Sequence, residues 1–441
     1  MKPRGLSVPP APMMRAQPVP SKEVIVKVSA PIPTRRAPAL LVVAAAALLT
    51  GWCGSCLAQE DDSLPIFLTT SLTLMHDSNL TRTTERQSDT VRAAAVAAGL
   101  NKAYGRQTYL LYGRLTKNQY NRFAELLDND GKNLNGKFTS EFLRNWSLTV
   151  GGQYDENLNS LQDNSLVERV VKNIRRYRDT NLSVQYGKSG LWSIVGRLDQ
   201  NDLTYSRQRV QNADQGSQSV RVYYSPSDLL RFGMGPRFVK TEYPYRTVSK
   251  RVEDTNLDFT ADWRVTGLSS LNAQVSLKET KNIDNSGQST SNDAVTGSLG
   301  WVYTPRGPVS YSVNLSRRTN SDRFNAGLLG LGSVTTDYVT NTVALGARWL
   351  ATAKVTVGAN YTRNMYDNSR TVNYSLEELA VLNDSDSSNS RQDTYSLDLR
   401  YQPTRSVGLS CSLSKYNQTQ GIGRLEHDGH MTSCSASLTL E

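Results

Sequence analysis

Three histidines, four cysteines and several ladders of alternating charge are the side chains of this 441-residue chain best equipped for chemistry. His76 stands next to Asp77, and an imidazole beside a carboxylate can activate water as a general base. Glu426-His427-Asp428-Gly429-His430 combines imidazoles and carboxylates at a spacing that can hold a divalent ion loosely. Both segments also read as polar loop sequence, and that is the reading preferred here. No serine–histidine constellation lies within a strand, so lipase or acyltransferase chemistry is not expected. No catalytic, cofactor-binding or metal residue is assigned, no cofactor is implied, and the chain is read as a non-enzyme.

The N-terminal segment must be set aside before charge is interpreted. Residues 1–36 carry scattered Lys, Arg and Pro, Ala37 to Leu49 is apolar, and Cys56-Leu57-Ala58 ends the run with small residues. That order of basic, apolar and small segments describes an export signal cleaved after Ala58, with an N-terminal extension. The expected division is signal peptide 1–58 and exported domain 59–441. The whole chain has 50 basic and 40 acidic residues; without the seven basic residues and one acid of 1–58, it has 43 and 39. A net charge of +4 is no footprint of nucleic-acid binding.

The elements that must position any site are strands. Trp146-Ser-Leu148-Thr-Val150, Leu271-Asn-Ala273-Gln-Val275-Ser-Leu277 and Tyr395-Ser-Leu397-Asp-Leu399 alternate apolar with polar. This period places one set on each face of a strand. Such segments recur about eighteen times, each about ten residues long, the length that crosses an outer membrane when tilted. The stretch 88–101 is rich in Ala and is also readable as a helix. Short connections such as Leu143-Arg-Asn145 and Gln402-Pro-Thr-Arg405 alternate with long polar ones at 158–178, 281–292, 318–336 and 365–392. The expectation is an all-β fold: a transmembrane antiparallel β-barrel of about 18 strands with short periplasmic turns and long extracellular loops, in the bacterial outer membrane. Trp146, Trp192, Tyr224, Trp263, Trp349 and Tyr401 fall near strand ends, where interfacial girdles place aromatics.

Parity then sorts the remaining candidates. Arg221, Arg231 and Arg237 point inward on adjacent strands, and Asp254, Asp258 and Asp262 point inward on the next. They form either opposed ladders with a transverse field or neutralising pairs. Tyr112, Tyr223 and Tyr338 share the inward parity, suited to stacking on sugar rings or to filling lumen volume. Ser147 and Ser276 read as lumen positions tolerant of substitution. Arg169, Lys172, Arg175, Arg176 and Arg178 form a basic patch on the outer rim, where it meets lipopolysaccharide phosphates or attracts an anionic glycan. Cys411 and Cys434 remain after cleavage and share the lipid-facing parity. They are either disulfide-bonded across neighbouring strands or two small apolar residues beside lipid.

Several short elements resemble a known group. These are His76-Asp-Ser-Asn79-Leu80-Thr-Arg82, Ser88-Asp-Thr-Val-Arg92, Gly99-Leu100-Asn101, Arg106-Gln107 and Gln119-Tyr120-Asn121-Arg122-Phe123. Together they resemble the EpsL-type proteins of bacterial exopolysaccharide operons, outer-membrane barrels of exosortase-associated loci, themselves similar to β-barrel porins with an Asp-x-Asn-hydrophobic-x-Arg first hairpin. The resemblance covers about 65–160 and supplies no catalytic residues. One departure is the end of the chain, Leu438-Thr-Leu440-Glu441, in place of a terminal aromatic. The resemblance implies a passive conduit in exopolysaccharide biosynthesis or export. Its expected partners are outer-membrane lipid, lipopolysaccharide, the exported polysaccharide and other export components, with no nucleic acid. The alternatives are a general small-solute porin and a non-conducting barrel that anchors a secretion or synthesis complex.

Overall fold

The computed structural model describes residues 66–159, 161, 170–187, 190–246, 250–283, 289–326, 332–376, 379–421 and 426–440. The expected signal peptide lies outside them. Eighteen antiparallel strands follow one another in chain order. They are β1 (Ile66–Asp77), β2 (Asp89–Tyr104), β3 (Gln107–Tyr120), β4 (Asn129–Phe142), β5 (Trp146–Leu158), β6 (Ile174–Tyr186), β7 (Trp192–Tyr205), β8 (Ala213–Ser227) and β9 (Leu230–Glu242). The second half comprises β10 (Arg251–Thr266), β11 (Ser269–Ile283), β12 (Ser289–Tyr303), β13 (Val309–Ala326), β14 (Gly332–Leu350), β15 (Val355–Leu376), β16 (Leu379–Tyr401), β17 (Val407–Gln418) and β18 (His427–Leu440). Among the described residues a short helix, α1 (Ala124–Leu127), and a 3-10 turn, Arg209–Gln211, interrupt the connections. The Ala-rich stretch is strand: in β2, Val91, Ala95 and Ala97 are buried on one face while Arg92, Val96 and Ala98 are exposed on the other.

Each strand pairs with its sequence neighbours, and β1 pairs with both β2 and β18, so the sheet closes on itself. Leu74 of β1, for example, lies opposite Arg92 of β2 and Cys434 of β18. Closure leaves the barrel wall with no open edge and satisfies backbone N–H and C=O groups between strands, the condition for a sheet to sit in hydrocarbon.

The two faces differ as that setting requires. Leu72, Leu115, Leu198, Phe238, Val275, Leu345 and Leu413 are exposed on the exterior of seven different strands. In water this would be an unprotected apolar surface far beyond that of a soluble monomer; against lipid it is the stable one. Near the short turns, Trp146 packs on Tyr186 with centroids 4.9 Å apart, and Trp192 packs on Tyr224 at 4.7 Å. Farther along, Tyr361 and Tyr395 stack at 4.9 Å. An apolar band with aromatics of this kind is the exterior of a bacterial outer-membrane barrel.

The long connections behave differently from the expectation. The segments 318–336 and 365–392 are mostly strand, since β13 runs to Ala326, β14 starts at Gly332, β15 reaches Leu376 and β16 starts at Leu379. The described pairing of β12 with β13 stops at Gly297↔Arg317, and that of β16 with β17 stops at Gln392↔Gln418. Beyond those points β13 to β16 pair with one another as a four-stranded extension of one side of the barrel. Polar sequence conceals this: where no face is apolar, period 2 disappears although the ladder continues.

Cys411 and Cys434 face each other in register and are disulfide-bonded, with a Cα–Cα distance of 4.1 Å and both residues exposed on the exterior. A cross-link spanning 23 residues of sequence restricts the unfolded chain by about 3 kcal/mol in the loop-entropy model. A thiol reagent should therefore leave denatured, unreduced protein unlabelled. The Cys411→Ser/Cys434→Ser variant should lose roughly that stability when refolded into vesicles from urea.

Side-chain orientation makes a second prediction. Val275→Arg should impair assembly, costing about 2–4 kcal/mol near the midplane, whereas Ser298→Arg, an exposed lumen position, should assemble. Ser147 and Ser276 are not the tolerant positions their parity advertised, because they are only 8% and 2% exposed. Heat-modifiable migration in gels reads all three outcomes.

Candidate functional site: the barrel lumen

Inward-facing residues divide the lumen wall into two unlike parts. From β12 to β18 it is built mostly of small neutral groups, with charge near the short turns: Ser298, Ser312, Asn314 and Asn360 line one cavity of about 790 Å3, and Ser310, Thr356, Ser410 and Ser412 line another of about 750 Å3 together with Arg348, Asp398 and Arg400. From β7 to β11 the wall is charged, and its centre is Asp258.

Asp258 is fully buried. Arg237 reaches it from β9 with two hydrogen bonds, Nε to Oδ2 at 2.9 Å and a terminal nitrogen to Oδ1 at 3.2 Å. Arg221 reaches it from β8 at 2.8 Å, and the Ser276 hydroxyl on β11 donates to Oδ1 at 2.7 Å. A carboxylate shared by two guanidiniums leaves a surplus positive charge on this wall. Nearby, Asp254 accepts from the Thr280 hydroxyl at 2.7 Å and pairs with Lys278 at 3.1 Å. Asp262 accepts from the Asn272 amide at 2.7 Å. Arg197 pairs with Asp199 at 2.7 Å on β7, an inward pair the sequence reading did not single out although its parity marked it. The opposed ladders of free charge considered from sequence therefore do not exist as such. Cross-strand neighbours lie within reach, and pairing lowers the energy of charges lined up on a wall.

Arg231 is handled differently. It lies directly opposite Asp262 in the β9–β10 register, yet its guanidinium stacks on the Tyr223 ring at 3.6 Å. Gly233 sits across from Tyr223, and a Cβ there would come within 2.6 Å of the ring. The glycine thus leaves room for the ring that carries the arginine, a cation–π arrangement. Tyr112 is inward, with its ring 6.4 Å from Phe67, and Tyr338 is inward on β14 between Asn320 and Asn368 of its neighbours.

The outer-rim basic patch is not a single surface. Arg169 lies outside the described residues. Lys172 donates to the Asp128 carbonyl. Because β6 starts at Ile174, the following residues alternate faces. Arg175 turns inward over Tyr177 at 5.3 Å. Arg176 turns outward to Glu156 at 2.7 Å, beside Lys132 on the same carboxylate at 2.9 Å, and Arg178 lies outside over Tyr154 at 5.7 Å. The reading as loop failed because a run of charges hides the strand's start.

The same alternation separates the two candidate chemical pairs. His76 is exposed on the exterior with Nδ1 3.0 Å from the Thr90 hydroxyl, while Asp77 is buried on the inner side. His427 is buried and His430 exposed, on opposite faces of β18. Among the described residues no three metal-ligating side chains come together.

Asp77 has a structural task instead. It accepts from the Asn79 N–H at 2.9 Å, from Arg82 at 2.9 and 2.8 Å on its two oxygens, and from the Tyr416 hydroxyl at 2.7 Å. Arg82 also lies over the Tyr416 ring at 3.9 Å, and Asn79 donates to the Asp428 carbonyl at 3.0 Å. Tyr416 fits because Gly429 faces it; a Cβ there would meet the hydroxyl at 2.2 Å. The Asp-x-Asn-Leu-x-Arg element thereby ties the first extracellular loop to β17 and β18 across the barrel closure. Asp89 does related work, accepting the backbone N–H groups of Asn121, Arg122 and Phe123 ahead of α1.

No protein-family model matches this chain, and no curated protein matches its sequence. Among solved structures it is similar to OccAB2 of Acinetobacter baumannii, with 10% identity, a TM-score of 0.47 and coverage of 86% of this chain and 99% of that one. It is also similar to the FrpB iron transporter of Neisseria meningitidis, with 9% identity, a TM-score of 0.46 and coverage of 86% and 82%. A third is the siderophore receptor PirA of Pseudomonas aeruginosa, with 10% identity, a TM-score of 0.44 and coverage of 87% and 81%. At these levels the likenesses carry no argument about solute, partner or activity.

Removing the shared charge makes a clean test of this wall. Asp258→Asn keeps acceptor capacity but frees two guanidiniums. It should shift ion selectivity toward anions, read as a displaced reversal potential in a salt gradient. It should also cost about 1.5–3 kcal/mol of stability, the worth of hydrogen bonds to a charged group.

Proposed function

We propose that the barrel is a passive outer-membrane conduit for polar solutes, in the manner of a general porin. One observation carries this reading: the inward faces of β8 to β18 enclose cavities of about 790 and 750 Å3 walled by hydroxyls, amides and charged side chains. Such a wall exchanges hydrogen bonds with water and with polyhydroxylated solutes at little net cost, so it favours passage over retention. Barrels of this strand number can enclose an aqueous channel. The reading is of transport, with no catalysis.

Within this reading the solute class is narrower. We infer that the solute is an exported glycan, on the resemblance of residues 65–160 to exopolysaccharide-operon barrels. The neutral Ser, Thr and Asn wall suits a hydroxyl-rich chain. The non-conducting anchor is the competing reading, and single-channel recording separates the two. Purified protein in planar bilayers should show discrete conductance steps in 1 M KCl. Liposomes containing it should swell in isosmotic neutral disaccharide. A silent bilayer and unswollen liposomes would remove the conduit and leave the anchor. A deletion strain that accumulates polysaccharide in the periplasm would support the narrower solute class, and unchanged secretion would remove it.

A further inference from the structure

One group of cations takes no part in the pairing described above. Arg348 on β14, Arg400 on β16 and Lys354 in the turn between β14 and β15 line the same cavity of about 750 Å3, at the end of the barrel that carries the short turns. All three are exposed, and none forms an ion pair among the described residues. Register explains how they converge. Arg348 has Ser310 on one side and Gly358 on the other. Arg400 has Thr356 on one side and Ser410 on the other. Only small residues therefore separate the two arginines, and both can reach into the cavity. The one carboxylate in this lining, Asp398, accepts from the Asn360 amide at 2.9 Å. The cavity keeps a surplus of two positive charges.

The short turns reinforce that field. Arg106, Arg144, Arg306 and Arg405 are exposed, each in a different turn on this same side. Higher on the charged wall, by contrast, Arg221 and Arg237 share Asp258, Lys278 pairs with Asp254, Arg197 pairs with Asp199, and Arg231 rests on Tyr223. The periplasmic mouth thus carries positive charge with no ion-pair partner among the described residues. A charged vestibule with low-dielectric walls raises the local concentration of oppositely charged solute and its entry rate.

We propose that the periplasmic mouth is a capture site for acidic sugars, in which Arg348, Lys354 and Arg400 bind carboxylates while the Ser310, Thr356 and Ser410 hydroxyls bind sugar hydroxyls. Guanidinium matches carboxylate in a two-pronged geometry, and the small neutral side chains between the arginines leave room for a pyranose ring. The position at the inner mouth favours loading from the periplasm. This inference rests on the conduit reading for its direction of transport but not for its binding chemistry.

The probe is oligogalacturonate, with a maltooligosaccharide of equal length as the neutral control. In bilayers with the barrel inserted in known orientation, oligogalacturonate added to the short-turn side should interrupt ion current at concentrations at least tenfold lower than from the other side. The maltooligosaccharide should show no such preference. The triple variant Arg348→Gln/Lys354→Gln/Arg400→Gln should need at least tenfold more oligogalacturonate for the same block. The double variant Arg348→Lys/Arg400→Lys, which keeps the charge but loses the two-pronged geometry, should fall between wild type and the triple variant, and Lys415→Gln, an outward residue on β17, should leave the block unchanged. Equal block from both sides, or equal block by the neutral oligomer, would overturn the proposal while the conduit stands. If the bilayer is silent, titration of oligogalacturonate into detergent-solubilised protein still decides. Binding that the triple variant loses supports the site; absent or unaltered binding refutes it.

Discussion

Every backbone polar group placed in hydrocarbon must find its partner within the protein. Among the described residues no helix is long and apolar enough to cross a membrane, and the chain meets this condition with a sheet that has no edge. The β1–β18 pairing, from Leu68↔Leu440 to Asp77↔Met431, is the contact that removes the edge. Once it forms, the usual arrangement of a globular protein is inverted. Leucines, valines and aromatics go outside, and serines, asparagines, arginines and aspartates go inside. The modest hydrophobic content of 38% is then sufficient, because apolar residues need supply only half of each strand.

Closure also governs the interior. A polar wall in a narrow space must settle its own charges, and the register decides which can meet. Asp258 meets two arginines and a serine because β8, β9, β10 and β11 bring them alongside one another. Arg231 faces Asp262 across a ladder but lies on Tyr223, since Gly233 gives the ring a place to rest. The closing seam is itself reinforced. Asp77, Asn79 and Arg82 hold the first loop to Tyr416 and Asp428, and the Cys411–Cys434 disulfide links the last two strands on the opposite face. The Asp-x-Asn-Leu-x-Arg element therefore secures the closure by tying the first loop to β17 and β18.

The distribution of unpaired charge is the feature with functional weight. The wall around Asp258 is nearly self-compensated, while the short-turn mouth is not. In the proposed conduit, separation of this kind gives polarity: one end would attract what the middle then lets pass. The neutral Ser, Thr and Asn wall from β12 to β18 complements that arrangement, because it offers exchangeable hydrogen bonds without deep wells.

Much of this was legible in the residues alone. Period 2 in segments such as Leu271–Leu277 located the strands with an apolar face, because a strand has only two faces and the apolar set must meet lipid. Parity also placed Cys411 and Cys434 on one face and symmetric about their loop. What parity cannot supply is distance across strands. Only the register showed that Asp258 collects Arg221 and Arg237, that Ser276 is sealed beneath them, and that Arg348 and Arg400 share a cavity in which the one carboxylate, Asp398, leaves positive charge in surplus. Polar stretches were illegible for a related reason. At 174–178 and 365–392 no apolar face marks the period, so the strands there were visible only as hydrogen-bonded ladders between chain segments. Alternation is a local property of one strand, whereas charge pairing and ladder length are properties of two, and those were decided by the closed tertiary structure.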